Sequence, residues 1–362
     1  MLSFARKCVK NPPNGFQAFG GAILMAVEQA ANGIWNDTKR RISSSIYERL
    51  RNSQRKGGLT NGNTMHAALT LFAAEGVMRR LDQANLLPEV VLKGARLWSV
   101  WGGDNARATQ DTDYTTQQPG LRGASPENAA SYIEQIIRAL STEIDDGLSM
   151  MTDSFRVATL DGKLGGCAID GFAALHTARI PISLEIGFGH TLPDGAIVDT
   201  QWFPVVKGLG KPLDIKAYAP EMWLAEKLRI AFEYGIDNTR LKDFFDMRML
   251  FAMRPDRVLL TDCLQATCAD FAVSMPTSLD DIPCLSQEYA RQHDALWRNR
   301  RWPEWTAKPF SPGRDPSLVE AIADIREAIR HYRVLEPKPA VRVYIGSAAT
   351  FPVVADDVAL PS

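Results

Sequence analysis

Apolar positions recur at helical spacing near both ends of this chain, and β-rich runs fill its middle. In TMHAALTLFAAEGVMRRLDQANLL, Leu69, Leu71, Phe72, Val77 and Leu81 form a wide apolar face, which predicts a helix. TKRRISSSIYERLRNSQRK reads as a second, more polar helix before it, parted from it by GGLTNGN. From Glu89 the texture changes, and VVLKGARLWSVWGG predicts a short strand, a glycine turn and a helix. SPENAASYIEQIIRALS (125–141) has the Ser-Pro-Glu start of a helix, and FRVATLD, CAIDGFAAL and RIPISLEIGFG follow as strand-like runs. Beyond Pro220 the chain reads as mostly helical. APEMWLAEKLRIAFEYG stops at Gly235, and DNTRLKDFFDMRMLFAM starts after a capping Asn238 or Thr239. Leu318, Ile322, Ile325 and Ile329 mark a last helix between Pro-rich loops. The pattern divides the chain into an irregular segment 1–37, a helical lead-in 38–88, a mixed α/β core 89–218, a helical lobe 219–335 and a tail 336–362. The fold class is α+β, and no internal repeat is visible.

Composition narrows the class. With 362 residues and 45% hydrophobic content the chain can bury substantial cores, and its net charge is −1. Residues 1–60 hold ten Lys and Arg against three acids, so that stretch carries +7 and the remainder −8. This permits contact with an anionic polymer, although a solvated basic helix face is the commoner explanation. The five cysteines (8, 167, 263, 268, 284) contain no C-x-x-C, which points away from a disulfide framework or zinc knuckle and towards a reducing cytoplasm. FGGAILMAV after Arg6, Lys7 and Lys10 has the look of a short signal segment, but Asn, Pro and Gln interrupt its approach. No run reaches the roughly 18 apolar residues of a membrane span, so no membrane is expected.

The chemistry starts at RATQDTDYTT. Asp111 and Asp113 are one residue apart in a strand-favouring setting, so both project from one face. Two readings stay open on these residues alone: a strand end capped by solvated acids, or a site for a hard cation such as Mg2+, which removes their repulsion. Lys93-Gly94-Ala95 stands at a strand-to-helix turn suited to a phosphate, and Glu185 in RIPISLEIGFGH offers a third carboxylate. Three acids on adjacent strands are what metal-assisted phosphoryl or nucleotidyl transfer requires. In the helical region the GIDNT turn brings Asp243 towards Lys227, either as a structural pair or as part of a triphosphate site.

In this order, VLKGARLWSVWGGDNARATQDTD, ISLEIGFGH, YAPEMWLAEKLRIAFEYG and NTRLKDFFD resemble the AbiEii/AbiGii-type nucleotidyltransferase toxins. That family is related to the MenT toxins and lies within the polymerase-beta-like nucleotidyltransferase superfamily. The match covers about residues 90 to 250, and the helical lead-in is also similar. The resemblance implies a small mixed β-sheet flanked by helices, followed by a helical C-terminal lobe. It makes Gly94 the phosphate-turn glycine and places Thr109 and Asp111 on a metal-binding strand with Asp113. Lys227 becomes the motif lysine, Asp243 the motif aspartate, and Arg107 a phosphate contact. Glu185 and His190 stand where the family commonly has the aspartates of D-V-G-F-G-D. The implied reaction moves a nucleoside monophosphate from an NTP, with Mg2+ or Mn2+, onto an RNA acceptor such as the tRNA 3′ end. A neighbouring AbiEi-type antitoxin and a role in toxin–antitoxin, abortive-infection or phage-defence systems are implied as well. The Glu185/His190 variation motivates a second expectation, a catalytically weakened member that binds a nucleotide or partner.

Other features carry less. WRNRRWPEW, Trp297 to Trp305, either grips an RNA end or plugs the helical lobe with its tryptophans. The five histidines show no metal-ligand spacing, and KGLGKP lacks the Ser/Thr and spacing of a P-loop. There is no G-x-S-x-G elbow and no Cys nucleophile signature.

Overall fold

The structure, a computed structural model, describes residues 37–55, 64–101, 109–124, 126–160, 163–299 and 317–336. Arg107, the N-terminal signal-like segment, WRNRRWPEW beyond Asn299 and the tail from residue 337 lie outside the described residues.

Two helices lead in, α1 (Asp37–Arg55) and α2 (Met65–Gln83). Thr64 caps α2, its hydroxyl accepting from the Ala67 amide. Phe72, Val77, Met78 and Leu81 bury the apolar face that the sequence pattern predicts. Strand β1 (Val90–Lys93) enters a 3-10 turn at Gly94–Leu97 and a one-turn helix Trp98–Trp101. Strand β2 (Asp111–Thr116) and α3 (Pro126–Leu140) follow, then β3 (Ser149–Thr159), β4 (Gly166–Leu175), β5 (Ala178–Phe188), β6 (Ile197–Trp202) and β7 (Leu213–Tyr218). The C-terminal part is helical: α4 (Pro220–Tyr234), α5 (Leu241–Ala252), α6 (Arg257–Phe271), α7 (Gln287–Asn299) and α8 (Leu318–His331).

The strands form one mixed sheet in the order β3-β4-β5-β2-β1-β7-β6. At its centre β2 pairs antiparallel with β1 and parallel with β5, while β1 pairs parallel with β7. Seven strands make it larger than the small sheet expected, because β6 and β7 extend it past β1 and β3 and β4 past β5. Alternation along β2 divides its faces. Thr112 and Tyr114 are buried, and Thr112 lines a small cavity with Leu184 of β5 and Thr70, Ala73 and Val77 of α2. Asp111 and Asp113 take the other, half-buried face.

One continuous apolar core runs from Ile46 through the sheet to Val334, so the C-terminal helices share it with the strands. Trp98 stacks edge-on against Trp223 of α4 at 4.8 Å, joining the turn after β1 to the helical part. Trp297 is buried, which favours the packing role for the one tryptophan of its motif that is described. Helix α5 departs from its expected cap. Its N-cap is Arg240, without a side-chain bond, and Asn238 Oδ1 instead accepts from the Arg240 amide, ahead of the first helical residue. The four described cysteines outside the N-terminal segment are free and buried. Among the described residues no helix is long and apolar enough to cross a membrane.

A buried ion pair fastens α2 to the sheet. Arg80 donates through Nη1 and Nη2 to the two oxygens of Asp146 at 2.7 and 3.3 Å, and Nη2 also reaches the Leu148 carbonyl at 2.8 Å. Asp146→Ala leaves this guanidinium buried without a counter-charge, and a loss of about 3–5 kcal/mol is expected in urea unfolding. A loss below about 1 kcal/mol, the worth of an exposed pair, would show that Arg80 finds water instead.

Candidate active site

The register of three central strands assembles the site. Lys93 on β1 is directly opposite Asp113 on β2, and Asp113 is in turn the partner of Glu185 on β5. Asp111 pairs with Ser183 two positions back on the same face. A cation and three carboxylates therefore lie in adjoining positions on one face, with neighbouring strands about 4.8 Å apart.

Gly94 is required twice. Its φ is +68°, in the left-handed region, and a β-carbon there would overlap Oδ2 of Asp113. The turn and the carboxylate are thus seated on each other. Burial, followed by the charge of Asp111, raises the pKa of Asp113, while Lys93, Lys227 and Lys242 pull it down. Loss of surrounding water, and then the charges of Asp113 and Asp111, push Glu185 up to about 7. Glu185 keeps an exposed surface, and a cation among the acids would offset the repulsion between their like charges. Arg96, buried behind the turn, donates to the Gln110 carbonyl at 3.3 Å, just before Asp111.

The helical hairpin supplies the counter-charges. Lys227 Nζ donates to Asp243 Oδ1 at 2.6 Å and stands 3.5 Å from Asp246 Oδ2. Arg240 Nε donates to the other oxygen of Asp243 at 2.7 Å, and Trp98 Nε1 donates to Asp246 Oδ1 at 2.9 Å. Both aspartates are fully buried, whereas the Arg240 side chain remains 41% exposed. Burial alone would raise the pKa of Asp243, but Lys227 and Arg240 overcome it and hold the group at about 2.

His190 lies behind the acids, over Gly187, where an added β-carbon would come within 2.7 Å of Nε2. Its Nδ1 is 3.6 Å from Glu226 Oε1, and burial followed by the charge of Lys93 lowers its pKa to about 4, so it is neutral at pH 7. Its loop is tied down by Arg122, which donates to the Gly189 carbonyl at 2.7 Å and to Asp270 at 2.7 Å. Glu226 receives Lys93 Nζ at 3.4 Å and the Tyr218 hydroxyl at 3.4 Å.

Of the residues expected from sequence, Gly94, Asp111, Asp113 and Glu185 adjoin one another, and Lys227 with Asp243 backs them. Thr109 lies two residues before β2, half-buried, and among the described residues no hydrogen bond ties it to the acids. Sequence reasoning placed Lys93 only as part of the glycine turn and gave no role to Glu226, Arg240 or Lys242. Arg240 and Lys242 flank Asp243 in RLKD, and Glu226 precedes Lys227, so adjacency to a motif residue was the available signal.

Among the described residues no three His, Cys, Asp or Glu side chains stand close enough to hold a metal ion by themselves. Asp111 and Asp113 with Glu185 alongside form an open donor set. Magnesium commonly binds in this way, through one or two carboxylates with its remaining ligands taken from water and substrate phosphate. The raised pKa values of Asp113 and Glu185 are a cost that such a cation relieves.

Carboxylates on a sheet face beside a glycine turn suit a polyphosphate substrate, and the comparisons identify the enzyme class. Residues 76–331, more than half of the chain, match the family described as nucleotidyl transferase AbiEii toxin, type IV TA system. The protein is a nucleotidyltransferase. It belongs to the AbiEii toxin family. Solved structures similar to it include MenT4, a nucleotidyltransferase toxin from Mycobacterium tuberculosis, at 15% identity and TM-score 0.46, covering 75% of this chain and 85% of that one. JHP933 from Helicobacter pylori is similar at 13% identity and TM-score 0.41, covering 73% and 93%. No curated protein matches the sequence. The assignment rests on the family match.

Two outcomes follow from this geometry. Gly94→Ala forces Asp113 aside, and a displacement near 1 Å is expected to lower nucleotidyl transfer about a hundredfold in initial-rate assays. Near-normal rates would show that the carboxylate has slack. For Asp243 the folded pKa of about 2 lies below the ordinary 3.8, so the unfolded chain takes up the proton first. Its contribution to stability is therefore whole above 3.8 and is lost as pH falls through about 2. Urea unfolding of Asp243→Asn should consequently show a flatter acid limb than the parent protein, and parallel limbs would contradict the assignment.

Proposed function

We propose that this protein is a Mg2+- or Mn2+-dependent toxin of the cytoplasm that transfers a nucleoside monophosphate from an NTP to an RNA acceptor, such as the 3′ end of a tRNA, and is restrained by an AbiEi-type antitoxin. The observation that carries the reading is the in-register row Lys93, Asp113 and Glu185 beside Gly94, with Lys227 and Asp243 behind it.

In the reaction an acceptor hydroxyl oxygen forms a bond to the α-phosphorus, the bond to pyrophosphate breaks, and the hydroxyl proton leaves to solvent. Asp111 and Asp113 would hold the cation, with Glu185 supporting them. When bound, that cation supplies Lewis-acid stabilisation of the charge on the transferring phosphoryl group. The chain's own contribution is to place positive charge in advance. Lys227 and the half-exposed Arg240 present it from the helical side, and Lys93 from the sheet. Asp243 acts through Lys227 and Arg240 as a positioning residue. At Gly94 the missing side chain makes room for the Asp113 carboxylate, and the family resemblance would make the backbone of this turn, with Arg107 and Thr109 ahead of β2 in the sequence, the further phosphate contacts. In-line displacement asks for positioning and charge neutralisation, which these groups provide.

The test is incubation of the purified protein with each α-labelled NTP and total RNA. Label should enter RNA from at least one NTP, and Asp111→Asn should reduce it by at least about a hundredfold. Unchanged labelling by Asp111→Asn would defeat the site assignment. Binding of NTP with no label in any RNA or protein acceptor would favour instead a catalytically weakened, nucleotide- or partner-binding member.

A further inference from the structure

We infer that Glu226 is a positioning residue that holds the Lys93 ammonium off the Asp111–Asp113 pair, keeping those carboxylates open to a divalent cation; the inference rests on the function proposed above.

Lys93 and Asp113 are directly opposed in an antiparallel ladder, with side chains on the same face. Opposed charges at such positions sit within about 5.5 Å at the Cα atoms and ordinarily close into a cross-strand pair. Here the ammonium forms its ion pair with Glu226, at 3.4 Å, and both side chains are largely buried, 19% and 13% exposed. The carboxylate that draws it away is itself fixed. Tyr218 at the end of β7 donates to it, His190 stands 3.6 Å away, and the next residue of α4, Lys227, is bound to Asp243 on α5. Three segments, β1, β7 and the loop after β5, thus converge on Glu226.

Held there, Lys93 still lowers the mutual repulsion of the acids by its field without occupying their oxygens. If Glu226 is neutralised, the nearest opposed acid is Asp113, and an internal ammonium then competes with the cation for it. Neither partner is a ligand in this arrangement. The effect passes entirely through where Lys93 rests.

Direct Mn2+ binding, read from the electron paramagnetic resonance of free ion, tests this without relying on turnover. Glu226→Gln is expected to weaken Mn2+ binding about tenfold, the usual scale for groups just outside a metal's ligands. Adding Lys93→Met to that variant should restore binding to within about twofold of the parent, since the competitor is gone. A merely structural role for Glu226 predicts no such rescue. If Glu226→Gln does not fold, Glu226→Asp keeps the charge on a shorter arm and should weaken binding by about threefold, again reversed by Lys93→Met. Unchanged affinity in both Glu226 variants, or weakening that Lys93→Met leaves in place, overturns the inference. If the parent binds Mn2+ and Asp111→Asn abolishes binding while the Glu226 variants are silent, the proposed function stands and only this inference falls. A parent protein that binds no Mn2+ removes both.

Discussion

Asp113 is seated on residue 94 so closely that no side chain fits between them, and the site takes its form from that contact. Because the turn has a positive φ and the carboxylate fills the space of a missing β-carbon, strand β1, the turn and strand β2 cannot slide independently. A shift of one residue in a strand register moves every side chain to the opposite face. Here such a shift would send Asp111 and Asp113 into the layer against α2 and bring Thr112 and Tyr114 out. The buried half of β2 therefore selects the register, and the register puts the acids beside Glu185 and Lys93.

The helical hairpin solves a different electrostatic problem. Lys227 with two buried aspartates would leave an excess of negative charge, and Arg240 restores the balance while keeping much of its own surface in water. Buried ion pairs contribute little net stability relative to apolar packing. What this one supplies is a fixed arrangement of charge, reinforced by the indole of Trp98 and its stack on Trp223. The same tryptophan follows the Gly94 turn by four residues, so the two halves of the site share one anchor.

Much of this was legible in the sequence. Periodicity locates α2, α4 and α8 because their apolar spacing is regular, and the D-x-D alternation alone puts Asp111 and Asp113 on one face. The resemblance to AbiEii-type toxins led to the family that the match over 76–331 shows. Illegible were the contacts that depend on which strands pair. Parallel pairing of β2 with β5 across some seventy intervening residues leaves no local signal, and neither does the meeting of Lys93 with Glu226. Asn238 does not cap α5 because its Oδ1 accepts from the Arg240 amide, two residues on and ahead of the helix, and the Tyr289 hydroxyl donates to the Asn238 carbonyl. His190 looked like a loss of a ligand. Folded, it is a neutral side chain packed over Gly187, behind the acids.

The order in which these groups occur along the chain has a corollary for synthesis. Acids come early, at 111, 113 and 185, with Lys93 beside them, and the further cations Lys227 and Arg240 arrive with helices that share a single apolar core with the sheet. A ribosome that has translated the sheet alone has made the acids and Lys93 without Lys227 and Arg240. A chain cut short upstream of α5 therefore lacks Arg240 and Asp243 together with part of the apolar core that seats the sheet.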